Sequence, residues 1–160
     1  MTTPNKVLAI AKKEVDAAYK EGTNNKNKFG EWYKMDNVPW CAIFVSWCFD
    51  QAKSPAVKDV QTKQGFHNCD AGLAYFRKHG QLVDVKDAQP GDIVFFNLDG
   101  VSGTSEHVGI IYVNQHEQGQ MICFEGNTGT SGSANGDGCY KKTRPLSKIA
   151  GVARVDWSKK

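Results

Sequence analysis

The run CAIFVSWCFDQA, from Cys41 to Ala52, is apolar nearly all the way round a helix, with only Ser46, Asp50 and Gln51 breaking it. A helix without a solvent face belongs at the centre of a domain, and the rest of the chain must cover it. The two sides of this run differ in period. Before it, Val7, Ile10 or Ala11, Val15 and Ala18 recur at helical spacing behind Thr3 and Pro4, with Gly22 as a stop. After it, NCDAGLAYFRKHG predicts a further helix, capped by Asn68 or Asp70 and ended by Gly80. From there PGDIVFFN, HVGIIYVN, QMICFEGN and IAGVARVDW are short runs rich in Val, Ile and Phe, bounded by turn residues. Helices followed by strands predict an α+β domain with an antiparallel sheet. TNNKNKFGEWYKMDN is expected to be a loop carrying Phe29, Trp32 and Tyr33, and GNTGTSGSANGDG a flexible loop.

With 160 residues the chain is expected to form one domain with a core that needs no disulfide or metal staple. The five cysteines form no CxxC pair, which argues against a zinc ribbon, and their odd number leaves at least one thiol free in a monomer. The net charge of +3 is spread without a basic stripe, so no nucleic-acid partner is expected. No run is long enough to span a bilayer, so no stable membrane insertion is expected. The N-terminus lacks the basic and apolar regions of a signal peptide, so the protein is expected to begin its life in a cytoplasm.

Candidate chemistry gathers around one hairpin. HVGIIYV and QMICFEG flank the turn-like NQHEQG, and a closed turn makes facing positions sum to roughly 233, give or take one or two. His107 then lies opposite Glu125, Gly126 or Asn127, and an even sum puts His107 on one face with Glu125 and Asn127. Cys41, behind Pro39 and Trp40 at the start of the apolar helix, is the candidate nucleophile. A helix N-terminus and an imidazolium lower a thiol pKa from about 8.5 into the range of roughly 3.5–7.5. Glu125 or Asn127 would hold the imidazole in its useful tautomer. Cys48 and Cys123 are expected to be packing residues, and Cys69 with His67 is a weak metal pair. Trp32, Tyr33 and Trp40 precede or border the thiol and are candidates for lining a substrate groove, although Trp32 and Tyr33 could equally cover the helix end.

PWCAIFVSWC, PGDIVFF, HVGII and FEGNTG, in that order, resemble the CHAP family of cysteine- and histidine-dependent amidohydrolases and peptidases. KFGEWYKMDNVPWC is similar to the CHAP domains of bacteriophage endolysins. The resemblance covers about residues 27–155 and implies a single catalytic domain over residues 1–160, with a papain-like (NlpC-like) fold of N-terminal helices on a C-terminal sheet. It implies Cys41 as nucleophile, His107 as general base and acid, Glu125 as orienting carboxylate and Asn127 as a fourth polar member. Peptidoglycan is the implied substrate, cut at an amide bond by an enzyme acting as a monomer. An endolysin is made in the host bacterial cytoplasm and reaches the wall after release. No cofactor is implied, and Glu31 and Asp36 are too few carboxylates for the calcium loop of some relatives. The chain is expected to carry no separate wall-binding domain. A cysteine amidase on a small soluble amide and a non-catalytic wall-binding module are the alternatives.

Overall fold

In a computed structural model that describes residues 2–129 and 136–160, four helices pack on one six-stranded antiparallel sheet. The helices are α1 (Pro4–Asp16), α2 (Lys28–Tyr33), α3 (Cys41–Gln51) and α4 (Cys69–Lys78). The strands are β1 (Leu82–Val83), β2 (Ile93–Phe96), β3 (His107–Gln115), β4 (Gln120–Thr128), β5 (Gly138–Pro145) and β6 (Ile149–Ala153). Their spatial order is β1-β6-β2-β3-β4-β5, so the α+β expectation holds.

The apolar run becomes α3, which buries every residue from Cys41 to Phe49 except the half-buried Trp47. It lies between α1, α2 and the sheet, against Val108, Ile110 and Phe124 of the central strands. Ser46 offends the apolar pattern without cost because its hydroxyl is fully bonded. It donates to the carbonyls of Ala42 and Phe66 and accepts from the Phe66 N–H at 3.0 Å. The segment between α3 and α4 is thereby pinned to the central helix. Gln61 Oε1 continues that tie by accepting from the N–H groups of His67 and Asn68.

Several local expectations change. The loop from Thr23 onward contains α2, because Asn27 caps it by accepting from Gly30 N–H at 2.8 Å, and Phe29 and Tyr33, one turn apart, both turn inward. Helix α1 ends at Asp16, well before Gly22, where Ala17 caps it and Ala18 takes a positive φ of 54°. Asn68, not Asp70, caps α4 through the Ala71 N–H. The expected loop at 126–138 is strand as far as Thr128, and its stretch 130–135 lies outside the described residues. Strands β1 and β5 have no counterpart in the sequence reading. β5, GCYKKTRP, is polar on its exposed face and ends the sheet, where lysines discourage further pairing.

The register between β3 and β4 is the decisive detail. Near the turn Gln115 pairs with Gln120 and Val113 with Ile122, but beyond Tyr112 the pairs are Ile111 with Cys123 and Ile110 with Phe124. Tyr112 is thus an extra residue on β3, a β-bulge. Had the turn-side register continued, His107 and Glu125 would lie on opposite faces of the sheet. The bulge makes the sum of paired positions even and puts them on the same face.

A candidate thiol–imidazole–carboxylate site

Cys41 is the first residue of α3, and Trp40 at the cap position supplies no side-chain bond to the first turn. The first N–H groups of that turn therefore point out of the helix with its positive dipole end, which favours an anion there. The thiol is buried to 4% exposure. It can approach the sheet because β4 carries Gly126, where a Cβ would sit 2.6 Å from Phe44 Cβ and 2.8 Å from the Trp40 ring.

His107 begins β3 and stacks on Phe96 of β2, its register partner. The ring and the Glu125 carboxylate are both completely buried, and His107 Nε2 is 2.7 Å from Glu125 Oε1. Nδ1 has no hydrogen-bond partner of ordinary length, yet the ring lies beside Cys41 and lowers its pKa. Gly109 makes room for this pair, since a Cβ there would meet Glu125 Cγ at 2.8 Å and the Phe124 carbonyl at 2.9 Å. The glycines in HVGII and FEGN thus have steric reasons, one beside Glu125 and one against the start of α3.

Glu125 also has a cation behind it that the sequence reading missed. Arg144 of β5 donates through Nη2 to Oε1 at 2.6 Å and through Nε to Oε2 at 3.0 Å, and its Nη2 is 3.3 Å from Thr128 Oγ1. Its guanidinium lies over the Phe96 ring, 5.3 Å from the centroid. In the strand Tyr140, Lys142 and Arg144 alternate with the exposed Lys141 and Thr143, but lysine stands on both faces, so residue type alone does not mark Arg144 as facing inward.

Cys69, expected as a weak metal partner of His67, stands beside Cys41 instead. It is the first residue of α4, 7% exposed, with Sγ 3.6 Å from Cys41 Sγ. His67 instead faces Gln61, with Nε2 3.0 Å from the amide nitrogen. Asp70 ties this helix start to the segment entering β3 by accepting from the Ser105 N–H at 2.6 Å. No cluster of three or more His, Cys, Asp or Glu suited to a metal occurs among the described residues.

The electrostatics follow from these contacts. The Cys41 thiol is held well below its ordinary range, chiefly by the bond from Cys69 S–H. Burial opposes this, while His107 and the Val108 N–H reinforce it. Cys69 moves in the other direction because it donates to that thiolate, is buried, and is near Asp70 and Glu106. Burial also works against the His107 imidazolium, but Cys41 and Glu125 together raise its pKa to about 9. Burial pushes Glu125 up, and its bonds to His107 and Arg144 more than reverse that. The result is a buried row of alternating charge, thiolate, imidazolium, carboxylate and guanidinium. Cys48, Cys123 and Cys139 are buried thiols whose pKa rises through desolvation, as packing residues require.

Asn127 sits in a second bulge, between Glu125 and Thr128 of β4, with φ of 52°. It is fully buried and neither side-chain polar atom has a partner. Leaving such an amide unpaired costs about 1–3 kcal/mol.

The aromatic groove residues need correction. Trp40 has no exposed surface: it stacks on Phe29 at 5.2 Å, and its indole N–H donates to Glu21 at 2.7 Å. Tyr33 is buried too, its hydroxyl bonded to Thr62. Both are core residues, and of the three only the half-buried Trp32 keeps surface for a ligand.

A family model for the CHAP domain matches residues 32–127, more than half of the chain, and ends before Arg144. No curated protein matches. On that match, and with a central helix bearing the thiol packed on a sheet bearing the imidazole, the chain belongs to the CHAP domain family, whose papain-like fold serves amidase and peptidase activity on peptidoglycan.

Proposed function

We propose that the protein is a peptidoglycan hydrolase of the endolysin kind, cutting an amide bond through a thioester on Cys41. The buried contact of 2.7 Å between His107 and Glu125, with the other ring nitrogen left for Cys41, is the observation that carries this reading. The Cys41 thiolate attacks the amide carbonyl, and the Cys41 N–H at the start of α3 donates to the oxyanion. His107, protonated at neutral pH, gives its proton to the leaving amine and later takes one from the water that opens the thioester. Glu125 holds the ring through Nε2, and Arg144 holds Glu125. Asn127 brings an unpartnered buried amide to the sequence next to them, and Trp32 offers an aromatic edge to a glycopeptide.

The enzyme is made in a bacterial host's cytoplasm and meets its substrate when the membrane is breached. Purified Gram-positive cell walls incubated with the protein should yield new amine termini by mass spectrometry. A freed L-alanine amine identifies an amidase, and a freed stem or bridge amine an endopeptidase. Cys41→Ala should release neither, and equal cutting by that variant would overturn the mechanism.

A further inference from the structure

Two helices begin at the same point. α3 opens with Cys41 and α4 with Cys69, and their sulfurs are 3.6 Å apart. A disulfide needs an S–S separation of about 2.0 Å, so the thiols have little more than an ångström and a half to travel. The pair is chemically asymmetric. Cys41 is drawn toward thiolate, the form that reacts with peroxides, while Cys69 is kept as the thiol by its buried, carboxylate-flanked setting. Nearness alone does not give this. Cys139 also bears on Cys48, but burial drives both toward the neutral thiol.

We propose that Cys69 is a resolving thiol, so that a hydroperoxide reaching the site converts Cys41 and Cys69 into a disulfide that a dithiol reverses. In the first step the Cys41 thiolate attacks the peroxide, giving the sulfenic acid and releasing hydroxide, or an alkoxide from an organic peroxide. In the second, Cys69 sulfur attacks the sulfenic sulfur, the S–O bond breaks, and the Cys69 proton leaves with the hydroxyl as water. Cys41 is oxidised by two electrons and the peroxide reduced by two. A dithiol then supplies two electrons and two protons, and restores both thiols. Without Cys69 the sulfenic acid stays open to a second peroxide and passes to the sulfinic acid, which dithiols do not reduce. The pairing is independent of the function proposed above, and its consequence for activity rests on Cys41 being the nucleophile.

The test uses the reduced full chain, hydrogen peroxide and dithiothreitol, read by intact mass and by peptide mapping after alkylation. The expected product is two hydrogens lighter, has lost two of its five free thiols, and yields a linked peptide containing Cys41 and Cys69. Dithiothreitol should return both thiols and, relative to the untreated protein, the wall-cutting activity. Cys69→Ser should gain two oxygens on Cys41 and recover neither mass nor its own starting activity. A wild-type protein that gains oxygens without the linked peptide, or that links other cysteines, overturns the proposal, as does a Cys69→Ser protein that recovers fully. Wild-type peptide mapping decides the matter even if the variant does not fold, or if no wall is cut.

Discussion

Arg144 shows how far a single side chain outside the Cys41–His107 pair can govern the charge of its neighbours. Glu125 is wholly buried, and an unpaired carboxylate there would take up a proton instead of holding an imidazolium. Two bonds from Arg144 keep it ionised, which makes Arg144 a positioning residue for His107. Arg144→Met is expected to destabilise the fold by about 3–5 kcal/mol, the usual cost of breaking a buried pair from one side. The more specific expectation is that the acid limb of its kcat/KM profile moves to higher pH, since Glu125 is no longer held down. Arg144→Lys, which keeps the charge and loses the two-pronged geometry, should return part of that shift. An unchanged acid limb in a folded Arg144→Met protein would remove Arg144 from the site. Cys41, His107 and Glu125 are singled out as candidates by their local contexts, but Arg144 stands in a polar stretch whose pattern is legible only once β5 is known to pair with β4.

At the level of elements, the contact between α3 and β4 sets where the thiol lies. Gly126 is the point of closest approach, and a methyl group there would overlap Phe44 and Trp40. Gly126→Ala is expected to push the start of α3 off the strand, costing about 1–3 kcal/mol by overpacking. Wall-cutting should fall far more than stability does, by on the order of 100-fold for a displacement near 1 Å. Urea unfolding beside a wall-cutting assay checks this, and a variant that loses stability while cutting normally would show that α3 relaxes without moving Cys41. The bulge at Tyr112 acts at the same scale on the other side of the site. Strand periodicity reveals that HVGII and QMICFEG pair, but one extra residue decides which faces meet, and no residue type near Tyr112 announces it.

Over the whole molecule, the buried charges tie folding to pH in two directions. His107 is raised from 6.5 to about 9, so its contribution is complete below the unfolded value and disappears as pH climbs through 9. Glu125 is lowered from 4.5, so its contribution is present above that value and disappears as pH falls through the folded one. Thermal midpoints should therefore gain from both groups between about 4.5 and 6.5, and lose the His107 share as pH rises from 6.5 to about 9. In Glu125→Gln the imidazolium loses its carboxylate, and the alkaline decline should be smaller and end nearer neutrality. Parallel declines in the two proteins would mean that other groups control alkaline stability. The sequence by itself determined the α+β class, the central apolar helix beginning at Cys41, and the hairpin joining His107 to Glu125, because periodicity and turn chemistry act over a few residues. Tertiary structure alone decided the parity of that hairpin, the burial of Trp40, the arrival of Arg144 behind Glu125 and the meeting of Cys69 with Cys41. Each of those depends on how segments distant in sequence close on one another, and a local pattern carries no record of that closure.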